Sequence, residues 1–162
     1  MVLVFSSDGR ALPLLQSCSA VTRAGTIYEV GDVSDADAIA WLRTVYNVEA
    51  PRAETLVRAI AGGRFPLLML SGASSKSVDA IIRELDIKAR DNLRRAGVCV
   101  TAPLFCKLLS STCIDKDAAH ELLPESKVQE LLSLNILSAH PDGTYTFHDR
   151  HVARFMERAA SS

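Results

Sequence analysis

The sequence lacks an excess of either charge: 18 lysines and arginines stand against 19 aspartates and glutamates, a formal net charge of −1. That balance gives no electrostatic reason to expect nucleic acid or an anionic membrane as partner. No apolar run approaches the roughly 20 residues that a membrane helix needs. The opening Met1-Val2-Leu3-Val4-Phe5-Ser6-Ser7-Asp8 has no basic region ahead of its few apolar residues, so it is not a signal peptide. There is no C-x-x-C pair among the four cysteines Cys18, Cys99, Cys106 and Cys113. The last three fall seven apart, which on helices means one buried face, and they read as reduced core thiols rather than metal ligands or disulfides. An intracellular, cytoplasmic protein is the expectation. No phosphate-binding loop of the form G-x-x-x-x-G-K-[ST] is present either. The near miss, Gly72-Ala73-Ser74-Ser75-Lys76-Ser77, lacks the glycine before the lysine and reads as a serine-rich helix cap. The four histidines, His120, His140, His148 and His151, lie in the last third beside no evident nucleophile, so nothing encodes self-sufficient catalysis.

What the chain does have is the composition of a soluble globular protein, 48% hydrophobic and 23% charged. Its 162 residues suffice to bury a sizeable core in one or two small domains. The middle of the chain organises the rest. In Ala61-Gly62-Gly63-Arg64-Phe65-Pro66-Leu67-Leu68-Met69-Leu70 a helical pattern stops at two glycines, which read as a C-cap. Pro66 suits the first turn of a new helix. A glycine corner of this kind can approach a phosphate or base, or simply turn the chain; a lone Gly-Gly is a weak signal.

Upstream, Val2-Leu3-Val4-Phe5 is a short continuous apolar run, the mark of a strand buried on both faces of a parallel sheet. Thr26-Ile27-Tyr28-Glu29-Val30 is a second strand candidate. Two strands cannot make an independent sheet of this kind, so the chain reads as starting in the middle of an α/β domain. Ser34 and Asp37 form a capping box before a helix with Ala38, Ile39, Trp41, Leu42 and Val45 on its apolar stripe. Pro51 starts the next helix, whose Leu56, Val57 and Ile60 share a face. A long helix is predicted from Ser77 to Ala96, with Val78, Ile81, Ile82, Leu85, Ala89 and Leu93 at helical spacing and Gly97 ending it. Its Arg83, Lys88, Arg90, Arg94 and Arg95 read as a solvated face.

The last third changes rhythm. Helices are predicted from Pro103 to Ser110, after Asp115 through Leu122, and from Glu125 to Leu134. Two short strands then flank Pro141-Asp142-Gly143, a hairpin signal, and an amphipathic helix carries Val152, Phe155 and Met156. Three helices and a ribbon are the winged-helix order. The helix at the recognition position, Glu125-Ser126-Lys127-Val128-Gln129-Glu130, offers one lysine against two glutamates and would repel a phosphate backbone. Alternation points Phe147 inward with Tyr145 and His148 away from the packed face. His148, rather than His120, His140 or His151, is therefore expected to carry the structural role, with Asp149 capping the closing helix.

These parts in this order resemble the C-terminal half of a P-loop ATPase of the AAA+/STAND superfamily, the group that includes NB-ARC signalling ATPases and archaeal-type ATPases. Val2-Leu3-Val4-Phe5-Ser6-Ser7 is similar to the strand ending in the sensor 1 polar residue. Arg23, followed by Ile27 to Asp32 and a capped helix, is similar to the family's arginine–strand passage. Gly62-Gly63-Arg64-Phe65-Pro66-Leu67-Leu68 resembles the lid motif written GxP or GLPL, with one extra residue before the proline. Phe147-His148-Asp149 resembles the Met-His-Asp motif, whose histidine senses the β-phosphate of ADP. The resemblance implies a mainly α fold with minor β: the edge of a P-loop core in 1–33, a helical lid in 34–98 and a winged helix in 99–162. It implies nucleotide-facing roles for Ser6, Ser7, Arg23, Gly62, Gly63, Arg64, Pro66 and His148, with ATP or ADP bound only alongside the missing P-loop half. It further implies a protein partner, or self-association through the incomplete sheet. Protein-interaction and winged-helix nucleic-acid-binding modules are the alternatives.

Overall fold

The computed structural model describes residues 32–161, and its first helix begins where the capping pair predicts. Ser34 Oγ accepts from the Asp37 N–H at 3.1 Å and donates to the Asp37 carboxylate at 2.6 Å, opening α1 (Asp35–Val45). The expected strands and Ser6, Ser7 and Arg23 lie outside the described residues. Among the described residues the fold is mainly α with one small antiparallel sheet, and it divides into two compact units. Residues 92–148 form one; residues 32–91 with 149–161 form the other.

In the helical unit, Pro51 stands in the first turn of α2 (Ala50–Leu56). This helix widens into a π-turn, Val57–Ala61, closed by the Gly62 N–H on the Val57 carbonyl at 2.8 Å. The widening keeps Val57, Ile60 and Ala61 all inside. Gly62 takes φ +55°, ψ −134°, a region open essentially to glycine alone. Pro66 then sits in the first turn of α3 (Phe65–Ala73), which absorbs Gly72 and Ala73 as its last residues. Ser77 Oγ accepts from the Ala80 N–H at 3.2 Å and opens α4 (Val78–Ala96). The would-be phosphate loop is an interhelical connection: Arg52 donates to the Ser74 and Lys76 carbonyls, and the Tyr46 ring packs on Gly72. The core comprises Ala38, Leu42, Ala53, Leu56, Val57, Ile60, Ala61, Leu68 and Ile81. Each large aliphatic among them contributes about 1.5–3 kcal/mol by leaving water.

In the second unit, α5 (Pro103–Ser111), β1 (Cys113–Asp115), α6 (Lys116–Leu122), α7 (Glu125–Ser133), β2 (Leu137–Ala139) and β3 (Thr144–Phe147) follow in order. Gly97 at φ +62° caps the preceding α4: the Val98 N–H reaches Leu93 O and the Gly97 N–H reaches Arg94 O, the Schellman pattern. Asn135 repeats it after α7 at φ +55°. Asp115 accepts from the Asp117 N–H at 2.8 Å and starts α6 as its sequence suggests. The sheet order is β1–β3–β2, with Ile114 opposite Tyr145 and Leu137 opposite Phe147. Helix, strand, two helices and a hairpin follow in the winged-helix order. The first strand is absent from the sequence reading because three residues are too few for period-two alternation to register.

Two expectations need correcting. The closing helix, α8 (Arg150–Ala160), belongs to the helical unit and not to the winged helix. There Val152, Phe155 and Met156 are buried and the helix packs on the π-turn. Cys99, Cys106 and Cys113 are free and exposed. They fall on a turn, on the outer side of α5 and on a strand, so no single helix turns their seven-residue spacing into a buried face. The Arg83, Lys88, Arg90, Arg94 and Arg95 face of α4 is exposed as expected.

The glycine corner supplies a test. A Cβ on Gly63 would lie 1.7 Å from the Val33 carbonyl oxygen, whereas one on Gly143, at φ +83°, would meet nothing within 4 Å. Gly143→Ala should cost about 1–2 kcal/mol in conformational strain alone. Gly63→Ala should cost more, about 3 kcal/mol, because backbone cannot rotate out of the overlap. Urea unfolding of the two variants compares them directly; equal losses would mean that the close approach is not needed.

Candidate functional site: the glycine corner and the start of α8

The corner following the π-turn is buried at Gly62 and Gly63 and half-buried at Arg64. The main chain of Val33 crosses Gly63, its N–H donating to the Gly63 carbonyl at 3.2 Å. Arg64 Nε stands 3.4 Å from Asp32 Oδ1. From 86 residues downstream comes the start of α8. Asp149 caps this helix, its carboxylate accepting from the Val152 N–H at 2.8 Å. Arg150 forks onto Asp35, with Nη1 2.9 Å from Oδ2 and Nη2 3.0 Å from Oδ1. Its guanidinium lies against Gly62, where a Cβ would come within 3.2 Å of Nε.

Electrostatics follow from this packing. Asp149 is raised above the usual 3.8, chiefly by burial and against the pull of the Val152 N–H, His151 and Arg64. Asp35 is held below 3.8, first by the Arg150 hydrogen bonds, with burial opposing. Arginine forks match carboxylate and phosphate alike, and here both arginines are occupied by carboxylates of the same chain. Arg58 also acts on Asp35, and Arg64 and Arg150 each face a carboxylate, so an incoming anion competes with an aspartate. Among the described residues no group of three or more His, Cys, Asp or Glu side chains could hold a metal ion, and no nucleophile stands beside the corner. The arrangement can bind and clamp.

The expected site residues divide accordingly. Gly62, Gly63 and Arg64 are together at the corner. Pro66 is exposed on the first turn of α3. His148 belongs to the winged-helix unit, where its Nδ1 lies 3.0 Å from Ser138 Oγ and its N–H donates to the Ile136 carbonyl. Ser6, Ser7 and Arg23 are outside the described residues. His148 thus has structural partners, but the structure does not set it apart from the other histidines. His151 is the buried one, 3% exposed, while His120 stacks on Tyr145 and His140 bonds Thr146 Oγ1 at 2.8 Å. His151 shares a helix face with Val152, Phe155 and Met156, so its i, i+4 spacing to Phe155 was the available signal. Arg150 and Asp35 carried no signal, being charged residues 115 positions apart.

A double-mutant cycle on Arg150→Ala and Asp35→Ala tests the clamp. Both side chains are partly exposed, 39% and 45%, so the coupling should be about 0.5–1 kcal/mol. With the Asp35 carboxyl depressed in the folded state, its stabilisation is complete above pH 3.8 and is lost as pH falls through the lower folded value. Coupling measured at pH 7 should therefore vanish in strong acid; zero coupling at neutral pH would discard the clamp.

Comparison of the chain with protein-family models, with curated proteins and with solved structures gives no match.

Proposed function

We propose that the chain is the non-catalytic C-terminal part of a P-loop ATPase of AAA+/STAND type, sensing nucleotide and coupling it to a partner. One observation carries this reading. The lid-like corner and the Phe147-His148-Asp149 passage are far apart in sequence, yet Arg150 lies against Gly62 and Arg64 acts on the Asp149 carboxyl. Asp149, the last residue of that passage, and Arg150 beside it therefore lie at the lid-like corner, which supports the reading. Phosphoryl transfer needs a phosphate cradle, a magnesium ligand and a positioned water, and the sequence encodes no such cradle. By the resemblance, ATP or ADP would be held only alongside a P-loop half, and Gly62, Gly63, Arg64, Pro66, His148, Ser6, Ser7 and Arg23 are the residues it assigns to the nucleotide.

A protein-interaction role is the second reading, favoured by apolar exposure on α3. Phe65, Met69 and Leu70 are 46%, 52% and 54% exposed, and the Phe65 ring stands edge-on to Trp41 at 5.1 Å. Aromatic and methionine side chains of this kind are enriched where proteins meet. Nucleic-acid binding loses its one recognition-helix cation: Lys127 Nζ donates to the Ala96 carbonyl at 2.6 Å and pairs with Glu130 at 3.1 Å. Among the described residues no helix is long and apolar enough to cross a membrane.

The purified chain should show no ATP turnover above buffer. The coding DNA ahead of Met1 should continue in frame into a G-x-x-x-x-G-K-[ST] sequence. In the longer protein, Arg64→Ala and His148→Ala should each speed ADP release about tenfold, the loss of roughly 1.4 kcal/mol, and His140→Ala should not. An upstream frame without that loop, or identical release from all three variants, sinks the ATPase reading. Concentration-dependent light scattering relieved by Met69→Glu would then favour the interaction module.

A further inference from the structure

The inner face of α8 holds a group that the proposed function does not use. His151 is 3% exposed and sits between α4 and α8. Its Nε2 comes within 3.1 Å of Asp86 Oδ1, the same oxygen that Arg158 Nη2 holds at 2.7 Å. Beyond that ion-pair contact and the Leu85 backbone, neither ring nitrogen meets full hydrogen-bond geometry among the described residues. Around the ring stand Asp86 and the Leu85 backbone from α4, Asp149 at the cap, and Arg158 two helical turns along α8. Asp86 is shared with the Arg158 guanidinium, so its pull on an imidazolium is divided with that cation.

We propose that His151 makes the seating of α8 on the helical unit acid-labile: a proton on this sealed ring releases the helix and bares Val152, Phe155 and Met156. Burial, the largest influence, holds the imidazole below its ordinary 6.5, with Arg158 adding to it and Asp86, Asp149 and the Leu85 backbone opposing. A released α8 returns the ring to water and to its ordinary value. The seated state therefore binds fewer protons; its stability is complete above 6.5 and declines as pH falls. Asp149 works in the other direction, since its raised carboxyl favours the seated state on acidification. The contact is ionic and polar at both ends, Arg150 on Asp35 and Arg158 on Asp86, so histidine is the group that titrates nearest neutrality there.

The test uses the full chain and amide hydrogen exchange, corrected for intrinsic rates, at pH 7.5 and 5.5. Protection of the Val152–Met156 amides should fall by up to about tenfold, the limit for a histidine of 6.5 that protonates only after release. Amides of Val128–Leu132 in α7 should keep theirs. Ring-proton NMR should show His151 titrating below 6.5. The exchange effect should disappear in His151→Gln and His151→Phe, and persist or steepen in Asp149→Asn, which keeps a capping side chain. Unchanged α8 protection in the native chain, a His151 midpoint at or above 6.5, or a fall that survives both His151 variants would each overturn the proposal. The native-chain measurements decide it even if a variant fails to fold.

Discussion

The helical unit depends on one backbone crossing. Val33 passes so close to Gly63 that its carbonyl oxygen occupies the space of a β-carbon, and its N–H closes a hydrogen bond on Gly63 O. Only glycine admits that approach. Because Ser34 caps α1 immediately afterwards, the crossing fixes where α1 starts relative to the end of the π-turn. That in turn sets Asp35 within reach of Arg150 and leaves Gly62 bare enough for a guanidinium to rest on it. A turn signal in the sequence thus proves to be a packing contact on which the polar corner is assembled.

The π-turn and α8 solve a shared problem. A 7-residue α2 offers a narrow apolar stripe, and the wider π-turn brings Val57, Ile60 and Ala61 into the interior together. Against this broadened face α8 lays Val152, Phe155 and Met156. Burying the stripe would leave charged neighbours stranded, and they are met in turn: Arg150 by Asp35, and Arg158 by Asp86. His151 is the exception, buried beside an aspartate that is already shared. Unsatisfied polar groups in low dielectric are costly, which is why a neutral ring is the state this packing selects.

In the winged-helix unit, β3 is central and each neighbour satisfies one of its edges. Tyr145 points into the core opposite Ile114, while Thr146 turns outward to His140. Lys127 spends its ammonium on the C-terminal carbonyl of α4 and on Glu130, so the helix that would read a groove is turned to internal support. The same geometry that builds the unit therefore takes away its simplest electrostatic use.

Local chemistry was legible in the chain itself. Ser34, Pro51, Pro66, Ser77, Gly97, Asp115 and Asp149 mark helix ends because capping and fixed φ act within a few residues, and each does so here. The hairpin around Gly143 and the mainly α composition follow from the same short-range rules. Partner choice was not legible. The amphipathic pattern of α8 says that one face is buried but not whether it meets the winged helix or the π-turn; complementarity with Asp35 and Asp86, over a hundred and over sixty residues away, decides that. Seven-residue cysteine spacing implied a face, but the turn at Thr101 and the left-handed Thr112 broke the helix that would have made one. His151 over His148, and Arg150 against Gly62, are likewise outcomes of tertiary packing. Sequence alone determined where most helices begin, because capping and fixed φ close over a few bonds. Only the folded chain decided which charges meet, because that depends on backbones approaching as closely as Val33 and Gly63 do.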